Sequence, residues 1–207
     1  MKSLTFKQYR NIDLFLLGLL LVVSEAITTI ATNQWFEDQP LAISTTFIFV
    51  CILMMRWNGF AAIHACVGGL VFCIASAATT EQYITYIVGN CFVLGAMIWF
   101  KLFKKEDVRK KPFLNFAFTL TAYILMQAGR WVISLFFEAN IETLVAFLTT
   151  DCITLLFGAV IMNTMRSVDG MIEDQKAYLF RLQRAKQDLP LPDIENDDIA
   201  SHPNNDD

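Results

Sequence analysis

The sequence has no GxxxxGK[ST] loop, which excludes ATP binding through a P-loop. It has no HExxH, no GxSxG and only two histidines, so no zinc-hydrolase or acyl-transfer motif is written into it. The five cysteines (Cys51, Cys66, Cys73, Cys91 and Cys152) form no CxxC and no Cys/His ligand spacing. They read as small apolar packing residues rather than a metal or disulfide framework. An enzyme is therefore not expected, and neither is a metal or a cofactor. Charge is also scarce, at 17% of 207 residues. Lysine and arginine are missing altogether from three segments, near residues 32–40, 79–81 and 138–142, which carry Glu37, Asp38, Glu81, Glu138 and Glu142 instead.

What fills the chain is hydrocarbon. Apolar residues make up 55% and aromatic residues 13%, with 18 phenylalanines, against roughly 45–50% apolar in soluble domains even with glycine counted. A membrane-spanning helix needs about 20 apolar residues. Six stretches meet or approach that length: 12–31, 41–55, 59–78, 82–103, 113–137 and 143–165. Laid out in this way, every basic residue but Arg130 falls in a segment on one side: Lys2, Lys7, Arg10, Arg56, Lys101, Lys104, Lys105, Arg109, Lys110, Lys111, Arg166, Lys176, Arg181, Arg184 and Lys186. Basic segments resist translocation and acidic ones do not. The expectation is an all-α polytopic membrane protein with six transmembrane helices and both termini in the cytoplasm, in a cell membrane of bacterial type. No nucleic-acid partner is expected.

Three parts follow along the chain: a transmembrane domain over 1–168, a cytoplasmic amphipathic helix over 169–187 and an acidic tail over 188–207. The start reads as a retained first helix, because the basic Met1–Asp13 stretch leads into a long span with no small-residue cleavage site. The short second span and Arg56-Trp57-Asn58-Gly59 predict a tight hairpin with the third. Pro112 suits the first turn of the fifth helix. Ile172, Leu179 and Leu182 suggest a docking face for a membrane surface or a partner, with a solvated helical extension as the alternative. The tail, with Pro190, Pro192 and Pro203 among its acids, has the composition of a disordered segment. In the third span Ala61, Ala65, Gly69, Cys73 and Ala77 recur every fourth residue, a spacing that lets helix backbones approach closely.

Function is sought among the few charges inside the spans. At 1.5 Å per residue, Glu25, Arg130 and Asp151 lie about 9, 10 and 12 Å below the outer surface, on three different helices. Each costs about 2.5–3.5 kcal/mol there on insertion scales, so they should face one another or a wet cavity. Arg130 keeps its proton, which makes a carboxylate partner close to obligatory. Tyr123, Gln127, Arg130 and Ser134 share one face of the fifth helix, and Tyr83, Tyr86 and Asn90 share one face of the fourth. Glu25, Arg130, Asp151, Gln127, Asn90, Tyr86 and Tyr83 thus form a candidate binding layer for a small polar or zwitterionic molecule. Trp35, in the outer loop, is a candidate lid. The same charges also fit a structural network pinning three helices. His64 sits below this layer and reads as a helix-packing histidine, with a proton relay as the alternative.

Six helices with both ends inside, an outward polar layer and the stretch MMRWNGFAAIHACVGGLVFC (residues 54–73) resemble the substrate-binding S components of energy-coupling factor (ECF) transporters. The resemblance covers residues 8–187 and is architectural. It implies capture of a vitamin-like micronutrient from outside, and as partners a transmembrane coupling subunit and two cytoplasmic ATPases, which would account for the missing P-loop. The family's AxxxA docking motif is absent from the first helix, which has Gly18 and Ala26 instead. A structural or regulatory subunit without a ligand, and a stand-alone proton-coupled carrier using Glu25 or Asp151, are the other readings.

Overall fold

The computed structural model describes residues 5–36, 42–168 and 170–187. Among them there is no strand. Four helical runs are long and apolar enough to cross a membrane: Phe6–Trp35, Thr46–Ala75, Thr80–Leu102 and Pro112–Phe137. Ile141–Thr150 and Cys152–Met165, bent by 47° at Asp151, make a fifth when taken together. The six stretches expected from the sequence are all helical, but two of them are short.

The first helix, α1 (Phe6–Trp35), starts at a capping box in which the Thr5 hydroxyl and Gln8 satisfy each other's backbone. Its 30 residues reach about 45 Å. The next run folds back on itself. A straight helix would hold Thr46 and Gly68 about 33 Å apart, yet a Cβ placed on Gly68 would strike the Thr46 side chain. Helices α2 (Thr46–Trp57) and α3 (Ala61–Ala75) are therefore antiparallel. Asn58 makes the reversal at φ 54°, ψ −125°, a region β-carbons disfavour. At about 18 and 22 Å, neither helix matches a hydrocarbon core of about 30 Å. The tight hairpin expected at Arg56-Trp57-Asn58-Gly59 is present, and its second arm, Ala61–Ala75, is shorter than the stretch 59–78 expected for it.

A second capping box, from Thr79 and Gln82, starts α4 (Thr80–Gly89). The run then continues for nine residues as a 3-10 helix, Asn90–Ile98, before α5 (Trp99–Leu102). Three-residue periodicity puts Asn90, Val93 and Ala96 in one buried line. The basic loop is itself a short helix, α6 (Lys105–Lys110). Pro112 opens α7 (Pro112–Ser134) at its first position, as its fixed φ favours. Asn140 caps α8 (Ile141–Thr150), and α9 (Cys152–Met165) follows the break.

The core is α2 wrapped by its neighbours: Phe47, Ile48 and Val50 through Met55 are almost wholly buried, with Ala61, Ala65, Phe118, Ala122, Met126 and Met162 around them. The small-residue ladder packs inside the molecule. Ala61, Ala65, Gly69 and Cys73 are buried, and a Cβ on Gly69 would lie 2.7 Å from the Tyr86 carbonyl of α4. Ala77, the fifth rung, is past the helix end at φ 51° and exposed.

The basic end is cross-linked by ion pairs. Arg56 meets Asp13 at 2.6 Å and donates to the Gly170 and Met171 carbonyls. Lys105 meets Asp174 at 3.0 Å and Arg109 meets Glu173 at 3.7 Å. Burial pulls the Lys105 ammonium below its usual value, and the Asp174 carboxylate opposes that shift. The segment 170–174 is thus tied to the bundle. Ile172, expected on the face of a docking helix, is buried in the turn before it. The first compact unit runs to Gln175, and a second begins at Lys176. Within the second, α10 (Gln175–Gln187) exposes Phe180, and Arg181 lies 5.3 Å from the Tyr178 ring centre. The side chain of Leu182 and the tail 188–207 lie outside the described residues.

Candidate functional site

Arg130 is 2% exposed and Asp151 3%. They form an ion pair through Nη1 and Oδ2. Asp151 reaches this position because it occupies the break between α8 and α9, where the chain bends. Arg130 reaches it because α4 and α7 cross with almost no separation. A Cβ on Gly89 would stand 2.7 Å from Arg130 Cα, and one on Gly129 would stand 2.6 Å from the Gly89 carbonyl. The crossing brings the start of the 3-10 stretch beside the guanidinium. Arg130 Nε donates to Asn90 Oδ1 at 2.8 Å and Nη1 to Gln127 Oε1 at 3.1 Å. Gln127 Nε2 donates to Asp151 Oδ2 at 2.8 Å. Asn90 Nδ2 continues to the Ala65 carbonyl of α3 at 3.4 Å. The Tyr86 ring lies 4.6 Å from the guanidinium carbon, a cation–π contact in a dry setting.

Five of the residues expected to act together, Arg130, Asp151, Gln127, Asn90 and Tyr86, therefore do meet. The sequence pattern was right about the faces of α4 and α7. It gave no sign of the two glycines that close the crossing, because Gly89 and Gly129 are 40 positions apart and neither belongs to a periodic pattern.

Glu25 belongs to a different cluster. It is fully buried and faces the first turn of α2, where Ser44 Oγ donates to it at 2.9 Å, Thr45 Oγ1 at 2.8 Å and Thr46 N at 2.7 Å. A carboxylate at a helix N-terminus meets unpaired N–H groups and the positive end of the dipole. This corrects the single three-charge layer: Glu25 neutralises a helix end, not Arg130. The two clusters join through backbone. Ser44 N donates to Thr154 Oγ1 at 3.0 Å, Thr154 N to the Asp151 carbonyl at 2.9 Å, and Ala42 N to the Thr150 carbonyl at 3.1 Å. The segment 42–45 thus dips into the bundle and docks at the broken helix.

The remaining candidates stand apart. Tyr83 is half-buried on α4 and makes no hydrogen bond to the cluster. Trp35 ends α1 at 77% exposure, touching neither cluster, and residues 37–41 of its loop lie outside the described residues. His64 is buried, with Nε2 3.0 Å from the Leu14 carbonyl and Nδ1 3.3 Å from that of Phe60. These contacts match a histidine that packs α3 against α1. Among the described residues, no group of three or more His, Cys, Asp or Glu side chains is arranged to hold a metal.

A cleft of about 270 Å³ opens at the end of the bundle away from the basic loop. Glu81, Thr85 and Tyr86 of α4 line one side, and Ser134, Thr143 and Phe147 another. Tyr86 connects cleft and ion pair, lining the one while Arg130 lies over its ring. Phe72 and Phe147 hold that ring, at 4.6 and 6.2 Å between centres.

Comparison with protein-family models, curated proteins and solved structures returned no match to this chain.

Proposed function

We propose that the chain is the ligand-capturing membrane subunit of an importer, taking a small polar or zwitterionic molecule from the outer face. In this reading it is a multi-pass protein of a bacterial cell membrane, with both termini inside and the basic α6 on the cytoplasmic side. The observation that carries it is the cleft at Tyr86, which opens at the acidic end of the bundle and is separated from the buried guanidinium by the Tyr86 ring. Helix breaks beside charged residues are a common way for membrane transporters to present polar groups at depth, and the break at Asp151 has that form. Energy would come from partners, a coupling subunit with two ATPases, as in the S components the sequence resembles.

A second reading has its own support. Arg130 is ringed by Asp151, Gln127, Asn90 and Tyr86, which is also what a helix-pinning network in a structural or regulatory subunit requires. Mild-detergent purification from the native host, followed by identification of bound small molecules and proteins, separates the two. A co-purifying small molecule, lost in Thr143→Trp while the variant still folds, together with P-loop ATPases, is the expected result. A chain that carries no small molecule in either form and no ATPase overturns the importer reading.

A further inference from the structure

At the opposite end of the bundle lies a second opening that the importer reading does not use. A groove of about 340 Å³ runs between α7 and α9, lined by Pro112, Asn115, Phe116, Ala159, Val160 and Asn163. Its walls face outward from the bundle: Phe116 is 49% exposed and Val160 64%, as side chains that touch lipid tails would be. Its polar lining has unmet capacity. Asn115 is 1% exposed, and its Nδ2 has no hydrogen-bond partner. An amide donor buried without an acceptor costs about 1–3 kcal/mol, a cost removed when a bound group supplies the oxygen.

Charge at the rim points the same way. Arg166 follows α9 directly, its Nε donating to Asn163 Oδ1 at 2.7 Å and its Nη1 to the Lys110 carbonyl at 3.0 Å. Both bonds hold the guanidinium at the end of the groove, and among the described residues no carboxylate pairs with it. Lys110 and Lys111, next to it, pair with Glu106 and Asp107 on exposed surface, where such pairs are weak. A groove with acyl-compatible walls, two amides within and, at its basic end, a guanidinium that no carboxylate among the described residues pairs with matches one class of molecule.

We infer that the α7/α9 groove is a binding site for one anionic phospholipid, its phosphate at Arg166, its glycerol ester region at Asn115 and Asn163, and an acyl chain along Phe116 and Val160. Basic pockets between membrane helices on the cytoplasmic side bind anionic headgroups in this way. The inference needs the chain to span a bilayer, but it needs no ligand in the outer cleft, so the two readings fail independently.

The full-length protein in nanodiscs tests it, with phosphatidylglycerol, phosphatidylcholine and inorganic phosphate as the probes. Native mass spectrometry should find phosphatidylglycerol retained about fivefold over phosphatidylcholine, the discrimination expected of one basic group at one anionic headgroup. Phosphatidylglycerol should raise the thermal midpoint, and inorganic phosphate should not. Val160→Trp fills the groove from its lipid-facing side and should abolish the preference while keeping the midpoint in phosphatidylcholine; Asn115→Leu, which removes the amide at the ester region common to both lipids, should lower the retention of both. Equal retention of the two lipids overturns the inference. So does an undiminished preference in Val160→Trp, or a midpoint shift reproduced by phosphate alone.

Discussion

Gly89 and Gly129 face each other where α4 crosses α7, so closely that a Cβ on Gly129 would sit 2.6 Å from the carbonyl oxygen of Gly89. That approach delivers Asn90 to Arg130, so the polar cluster depends on the absence of two methyl groups. Gly129→Ala should therefore lower stability by about 1–3 kcal/mol, the usual range for overpacking. Gly59, where an added Cβ meets nothing, is the control. Thermal unfolding in detergent that finds Gly129→Ala no worse than Gly59→Ala would remove the crossing from this account.

Breaking the buried ion pair from one side should cost more than removing it from both. Asp151→Asn keeps the shape but leaves the Arg130 charge uncompensated, at a cost of about 3–5 kcal/mol. Arg130→Met together with Asp151→Leu should recover much of that loss, since buried pairs are often replaceable by apolar side chains. The measurement is a double-mutant cycle. Additive losses would mean the pair is not coupled.

Glu25→Gln should loosen the start of α2. The amide accepts at one atom only and carries no charge for the helix terminus, so about 1–3 kcal/mol should be lost, the value of hydrogen bonds to a charged group. Ser44→Ala, which removes a single donor, should cost less. Hydrogen exchange at the Thr46–Val50 amides reports the change locally. Protection equal to wild type in Glu25→Gln would show that the carboxylate does not hold this helix end.

Cys66 on α3 and Cys91 in the 3-10 stretch bring their sulfurs to 3.3 Å. A membrane-permeant oxidant should join them, each thiol giving up its hydrogen as the S–S bond forms and the oxidant is reduced. The titratable thiol count should fall by two, and Cys66→Ser should prevent it. A count unchanged under oxidation would place these two helices farther apart than described.

Much of this arrangement is legible in the sequence, and the gaps have physical causes. Periodicity marked the faces of α4 and α7 because side chains four and three apart share a helix face, and Arg130's permanent charge pointed to a carboxylate. Depth counted along isolated helices misassigned Glu25, because that count assumes every helix starts at the surface. Helix α2 starts well inside, where Ser44, Thr45 and Thr46 supply the donors. The short run 41–55 and the Arg56-Trp57-Asn58-Gly59 turn disclosed the α2/α3 hairpin, whose reversal is made by Asn58 at positive φ, but not that α2 starts at Thr46, inside the bundle. Likewise the membrane character followed from composition, while the groove at Asn115 came from packing between helices 40 residues apart.

The nine residues Asn90–Ile98 also act as a geometric spacer. A 3-10 helix rises about 2.0 Å and turns about 120° per residue, against about 1.5 Å and 100° for an α-helix. Over this stretch the differences add up to about 4.5 Å of reach and half a turn of phase. Recoiled as an α-helix, the segment would draw Trp99 and the basic loop beyond it up toward Asn90 and swing them to the opposite azimuth. The pitch of one helix therefore sets the azimuth and height of the basic end relative to the residue that holds Arg130.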